Sequence, residues 1–391
     1  MAQNNRFAVR KREDKKSRYF DYNLIVIVAF LLAFGLVMIY STSSYESYIM
    51  FGDATYYVRR QLFATIAGIA LMFFVAMVPY HFWERLAGVA YIVSVALIFM
   101  IIPFGYEANG AKRWIRIMGI SMQPAEVAKI GIIIFLAYLI TKYGKRIASP
   151  GGVLMIFAYA GVIAALLWGV TSNLSSAIIV GGIAVIMLFV ATPGYKKYIF
   201  AAVIAMALIG LLLLLIVSNT SGVEAGELGY RGSRILAWLD PEAYASGKGF
   251  QTLQALYAIG SGGLFGKGLG ESIQKLGFLP EAQNDMIFSI ICEELGLVGG
   301  LAVILLFMLL IWRLKFIADE APDLFGALLV IGVMGHVSLQ VIFNIAVVTN
   351  TIPNTGISLP FISYGGSASF FLLAEIGLCL SVARGIRVQD Y

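Results

Sequence analysis

Of the 391 residues 60% are hydrophobic and only 13% are charged, about half the charged share of an ordinary soluble domain, and the mean hydropathy is +0.86. A soluble fold of this size would need the missing charge to cover its surface, and 26 Phe with 20 Tyr are the reverse of a disordered composition, so both classes are excluded. The net charge of +6 is concentrated at one end: seven of the 28 Lys and Arg fall within the first 18 residues, as in a cytoplasmic anchor beside a membrane span, and no nucleic-acid partner is expected.

The basic tail, 1–21, gives way to an apolar run from Tyr22 to Tyr40 that is too long for a signal-peptide core and has no small-residue cleavage site behind it. Further runs follow near 60–79, 84–103, 124–142, 151–171, 174–192, 197–218, 286–312, 324–350 and 364–386. The pattern predicts an all-α polytopic membrane protein, with about ten transmembrane helices in a single domain over 22–386 and a short C-terminus at 387–391. All 10 prolines lie in the proposed connections or at helix ends, where no interior hydrogen bond is lost. With the N-terminus inside, the inner segments carry 17 Lys and Arg and the outer ones 10, five of them in one long loop that counts little. Both termini are therefore expected in the cytoplasm. The long loop, 219–285 between spans 7 and 8, holds 13 glycines and is expected to be functional. Its stretch Phe250–Ile259 is apolar but too short to span, and is expected to lie in or re-enter the interface. No internal repeat is visible, which speaks against an inverted-repeat transporter.

Ionisable and polar groups at the spans are the candidates for chemistry. Asn109-Gly110-Ala111-Lys112-Arg113-Trp114-Ile115-Arg116 puts three cations and a tryptophan on the outer side, either as an interfacial anchor or as a phosphate clamp. In Gln123-Pro124-Ala125-Glu126-Val127-Ala128-Lys129 the proline fixes a helix start, and the i,i+3 spacing puts Glu126 and Lys129 on one face. They form a structural ion pair or the wall of a polar cavity. The long loop closes on Gly277-Phe278-Leu279-Pro280-Glu281-Ala282-Gln283-Asn284-Asp285, where Asp285 precedes an apolar helix as an N-cap or as a general base. Glu293 and Glu294 lie deeper and point in different directions, so at least one must meet a partner or water. His336, Gln340 and Asn344 mark a bundle-facing polar stripe. The segment Pro360-Phe361-Ile362-Ser363-Tyr364-Gly365-Gly366-Ser367 either cradles a ligand or makes a tight loop. Cys292 and Cys379 fall in apolar runs and are read neither as metal ligands nor as a disulfide.

NGAKRWI, QPAEVAK, GSGGLFGKGLGESIQKLGFLPEAQNDMIFSIICEELG and TGISLPFISYGGS, in this order and at the ends of the spans, closely resemble the SEDS family, the FtsW/RodA/SpoVE proteins, over essentially the whole chain. The phrase from Arg234 to Glu242, the run Gln274 to Pro280 and Thr355-Gly356 are more similar to the FtsW/SpoVE branch than to RodA. The resemblance implies a peptidoglycan glycosyltransferase that polymerises lipid II on the outer leaflet of the bacterial cell membrane during division or sporulation. The partners it implies are a class B penicillin-binding protein transpeptidase and other divisome membrane proteins. It carries over Asp285 as the essential aspartate of the outer loop, and Glu126 with Lys129 as the polar pair of the central cavity. Arg113, Lys112, Trp114, Gln123, Glu281, Ser363 and Gly365 complete the expected substrate-binding set. Two departures stand out. Family members commonly read HTD where this chain has Gln283-Asn284-Asp285, and often PDLGT where it has Ser172-Asn173-Leu174-Ser175-Ser176.

Glycosyl transfer from a lipid pyrophosphate needs a base for the attacking hydroxyl and positive charge for the departing pyrophosphate. Asp285 is the candidate for the first; Arg113, Lys129 and Lys112 are candidates for the second. Without a second carboxylate convincingly placed as nucleophile, the anomeric carbon is expected to invert, with Glu281 next in line for that role. No cofactor is demanded; a divalent cation, Mg²⁺ or Mn²⁺, fits beside the pyrophosphate, although the sequence shows no dedicated cage. The rival readings are a lipid II flippase using the same cavity, an elongation role of the RodA kind, and a non-catalytic scaffold for the transpeptidase.

Overall fold

The computed structural model describes residues 20–386 apart from 109–110, 118–119, 195, 197, 199, 201–202, 204–228 and 248. The basic tail up to residue 19, residues 387–391 and most of the seventh predicted span lie outside the described residues.

Helix α1, Tyr22–Phe51, is capped by Asp21, whose carboxylate accepts the Leu24 N–H at 3.0 Å and also pairs with Arg313 at 2.8 Å. The helix runs well past its predicted end at Tyr40. Within the Ser/Thr run beyond it, Thr42 and Ser43 turn their hydroxyls back into the helix, both donating to the Ile39 carbonyl, at 3.3 and 2.7 Å. Helix α2, Tyr56–Met77, follows, then the short α3 (Tyr80–Arg85) and a third span made of α4 (Ala87–Phe99) and α5 (Ile101–Phe104).

The connection before the fourth span is a three-stranded antiparallel sheet that the sequence reading did not anticipate: β1 (Gly105–Ala108), β2 (Ala111–Ile117) and β3 (Ile120–Met122). Three spans beyond it run close to expectation, α6 (Pro124–Tyr143), α7 (Pro150–Gly169) and α8 (Leu174–Ala191), and after the long loop α11 (Ile287–Asp319) is extended by about two turns. Within that loop lie α9 (Gly229–Leu239) and α10 (Phe250–Gly262); α12 (Leu324–Val348) and α13 (Gly366–Ala383) complete the bundle. Among the described residues nine helices are long and apolar enough to cross a membrane, matching nine of the predicted spans. This is a multi-pass membrane protein. Helices α6, α12 and α13 are buried along most of their length and form its centre, whereas α4 and α7 turn most of their surface outward. Small residues permit the close approach: a Cβ on Gly332 of α12 would stand 2.5 Å from Ile133 of α6, and one on Gly335 would stand 3.1 Å from Ile186 of α8.

Helix α10 begins where the short apolar stretch was read, but it packs along α11 with Ala255 and Ala258 buried. The contact needs glycine, because a Cβ on Gly262 would sit 1.9 Å from the Cys292 carbonyl. Just beyond, α11 breaks at Gly296, with φ 69° and ψ −169°. The following loop fills the break. Leu297 and Val298 donate their N–H groups to the Gly263 and Leu264 carbonyls at 2.9 and 3.1 Å, while the Glu293 and Glu294 carbonyls accept from Lys267 and Gly268 at 3.0 and 2.9 Å. The two adjacent glutamates each find their own lysine: Glu293 pairs with Lys267 at 2.7 Å, and Glu294 with Lys275 at 2.7 Å and with Ser41 of α1. Both expected directions are thus filled by protein partners.

Candidate active site

The end of the outer loop enters α11 through a turn. The Asn284 and Met286 N–H groups both reach the Glu281 carbonyl, at 3.0 and 3.4 Å, and Glu281 itself is left-handed at φ 58°. Met286 occupies the cap position of α11, which no side chain caps. The N-cap reading of Asp285 therefore falls. What remains is a half-buried aspartate whose Oδ1 is sealed from solvent without a hydrogen-bond partner. Its Oδ2 faces Gly356, on which a Cβ would stand 3.6 Å away. Burial, reinforced by the charge of Glu281, pushes the Asp285 carboxyl from an ordinary 3.8 up to about 7, with Arg234 acting in the opposite sense.

The backbone around Asp285 is held from several sides. Asn344 of α12 donates its amide to the Asp285 and Ile357 carbonyls at 2.7 and 2.8 Å. Ser363 donates to the Asn284 carbonyl at 2.6 Å, and the Tyr364 N–H to the Gln283 carbonyl at 2.8 Å. The Gly365 N–H reaches Gln61 of α2 at 3.1 Å. Ser363 and the Tyr364 N–H thus brace the aspartate's segment, and Gly365 ties the bracing turn to α2, which are positioning tasks. Gln283 donates to Glu46 of α1 at 2.9 Å, and Glu281 accepts from the side chain of Asn284.

The sheet sorts the outer cations by strand alternation. Lys112 and Arg116 are exposed, Lys112 opposite Glu107 across the ladder and Arg116 over the Tyr106 ring at 5.1 Å; Trp114 shares their side of the strand, half-buried. Arg113 points the other way, with buried Ile115, and donates to the Ser172 carbonyl at 2.9 Å. From there a chain of contacts leads to the aspartate. Asn173 caps α8 by accepting the Ser176 N–H at 3.1 Å, Ser175 donates to the Thr355 carbonyl at 2.6 Å, and Thr355 adjoins Gly356. A cap needs an oxygen acceptor and no charge, so asparagine serves here. Gln123 takes the cap position of α6 without a capping bond, and is half-buried.

Deeper in the bundle Lys129 pairs with Glu126 at 2.9 Å, their side chains 1% and 7% exposed. They are not alone. His336 of α12 contacts Glu375 of α13 at 2.8 Å, and Lys129 acts electrostatically on both. Sequence reasoning passed over Glu375, although an ionisable group in an apolar helix is itself a signal. The stripe His336, Gln340, Asn344 is buried as expected, and it climbs from this cluster to the Asp285 backbone. His336 Nε2, Gln340 Oε1 and Asn344 Oδ1, like Asp285 Oδ1, have no hydrogen-bond partner. Such buried polar atoms call for water or a ligand. Among the described residues no group of three or more His, Cys, Asp and Glu is placed to hold a metal ion. A Mg²⁺ or Mn²⁺ ion would have to take its ligands chiefly from phosphate oxygens and water.

The fold and site define a polytopic membrane protein with an acidic site at the end of its long loop, joined to a buried polar cluster. The family model described as "Cell cycle protein", the FtsW/RodA/SpoVE family, matches residues 22–387, and the chain belongs to this family. It is 37% identical to "Stage V sporulation protein E" of Bacillus subtilis (strain 168), covering 93% of this chain and 97% of that one. It is 36% identical to "Probable peptidoglycan glycosyltransferase FtsW" of Trichlorobacter lovleyi, covering 94% of each. A solved structure described as "Structural coordination of polymerization and crosslinking by a peptidoglycan synthase complex" superposes with a TM-score of 0.75 at 27% identity, over 93% of this chain and 98% of that one. The rod shape determining protein RodA of Thermus thermophilus gives 0.65 at 27% identity, over 95% and 98%.

Proposed function

We propose that this protein is a peptidoglycan glycosyltransferase that polymerises lipid II on the outer face of the bacterial cell membrane, with Asp285 as general base, in division or sporulation. The carrying observation is the Asp285 carboxyl itself: fixed through its backbone, sealed at Oδ1, free of any capping role and shifted to about 7. A base of that pKa at neutral pH is matched to removing a proton from a sugar hydroxyl as it attacks. The names of the relatives and of the synthase complex point to the same chemistry.

Lys129, and from the outer side Arg113, supply positive charge for the pyrophosphate that leaves. The scale is consistent. His336, in the field of Lys129, and Asn344, on the Asp285 carbonyl, are eight residues apart on one helix, roughly 12 Å. An in-line array of carboxylate, hydroxyl, anomeric carbon, phosphate and ammonium is about as long, given hydrogen bonds of about 2.8 Å and a reacting distance of about 3 Å. Direct displacement along that line inverts the anomeric carbon. If Mg²⁺ or Mn²⁺ accompanies the pyrophosphate, it adds to the neutralisation of the leaving group. A class B penicillin-binding protein transpeptidase is the proposed partner, within the divisome.

The test is reconstitution of the purified protein in liposomes with lipid II supplied from outside, with and without the transpeptidase. Glycan strands on a gel support the reading. Movement of the head group to the opposite leaflet without strands makes the protein a flippase, and neither activity with either partner state makes it a scaffold.

A further inference from the structure

Behind the Asp285 turn lies a cavity of about 220 Å³. Its walls come from α9 (Arg234, Trp238), the start of α10 (Gln251, Thr252), Pro280 and Asn354. The lining is locked by its own bonds. Gln251 donates to the Pro280 carbonyl at 3.2 Å and accepts from Asn354 at 2.8 Å, Arg234 donates to the Asn354 carbonyl at 3.2 Å, and Trp238 donates to the Asn350 carbonyl at 2.9 Å. The same residues adjoin the proposed base. Pro280 precedes Glu281, the Asn354 side chain accepts the N–H of Gly356, which faces Asp285, and the charge of Arg234 is felt at the Asp285 carboxyl.

The chemistry of this wall is specific. It combines one flat indole, the ring of Phe250, two amides that keep further N–H groups beyond the bonds named, a hydroxyl and one guanidinium, with no carboxylate. An indole offers a broad apolar face, and the amides offer paired donors and acceptors for adjacent hydroxyl or acetamido groups. The volume is below the roughly 300 Å³ at which drug-sized sites begin, so a single ring fits.

We propose that this cavity is a subsite for one amino-sugar ring of the glycan, holding it beside Asp285; its role in catalysis rests on the glycosyltransferase reading, whereas its binding of sugar does not. The probe is the tetramer of N-acetylglucosamine, titrated calorimetrically into the full-length protein in detergent. The parent binds it saturably. Trp238→Leu weakens binding about tenfold, the effect of losing an aromatic contact, while Trp238→Phe, which keeps a ring, and Gly161→Ala, in open space on α7, stay close to the parent. In polymerisation assays Trp238→Leu raises the KM for lipid II more than it lowers kcat. Absence of saturable binding to the parent, equal binding by Trp238→Leu, or displacement of the sugar by inorganic pyrophosphate overturns the subsite. Sugar binding by a parent that makes no strands from lipid II supports the subsite and instead rejects the glycosyltransferase reading.

Discussion

At the scale of single residues, the account turns on two carboxylates in different surroundings. Asp285 is held up at about 7 by burial, so kcat/KM for strand formation should rise with pH and reach half its plateau near pH 7. The linkage has a definite sign. Because the folded pKa lies above the ordinary 3.8, the native state holds the proton more tightly, and its stability should fall as pH rises from about 4 to about 7. Asp285→Asn lacks this penalty. Melting in detergent across that window should show the parent losing stability relative to the variant, and parallel curves would exclude the shift. Glu126 is the contrasting case, paired with Lys129 away from solvent. Lys129→Ala leaves Glu126 unpaired, a loss of about 3–5 kcal/mol if the carboxyl stays charged. The double variant Glu126→Gln with Lys129→Met should fold well yet polymerise poorly if the ammonium holds phosphate, as proposed. Restored activity in that double variant would make the pair structural only.

At the scale of elements, the sequence was clear where one period dominates and silent where tertiary contacts decide. Apolar runs and proline positions placed nine described spans, and Pro124 set the start of α6. The apolar run ends at Tyr40, but α1 continues to Phe51, since Ser41 is satisfied by Glu294 from a distant helix. The sheet at 105–122 lies among residues read for their charge, as an anchor or a phosphate clamp, and its alternation separates Arg113 from Lys112 and Arg116. Likewise, Ser363 and Gly365 are visible as a turn, but their task of bracing Asn284 and Gln61 depends on contacts across the fold. The break at Gly296 is the element most exposed to a single change. Its φ and ψ suit only glycine, and a Cβ would lie 2.4 Å from the Leu264 carbonyl and the Gly266 nitrogen. Gly296→Ala should destabilise by more than about 3 kcal/mol, read as loss of monodisperse protein in detergent. Gly161→Ala, in open space on α7, should leave it unchanged. Equal behaviour of the two variants would remove the kink from the account.

At the scale of the whole molecule, the arrangement predicts a sided protein: the Asp285 mouth, the sheet and the outer loop on one face, the turn after α6 on the other. Ser246 and Ser149 are both exposed and lie on these opposite sides of the proposed topology. Single cysteines there should react with a membrane-impermeant thiol reagent from outside at 246 and only after permeabilisation at 149. Labelling of both from one side would contradict the topology. The central claim is that this outward site forms glycosidic bonds with Asp285 as the base, and it is tested most directly by comparing the parent and Asp285→Asn on lipid II in the same liposomes. The account predicts strand formation by the parent and a fall of about 100- to 10,000-fold in the variant, with melting retained. Strand formation by Asp285→Asn at close to the parental rate would contradict it.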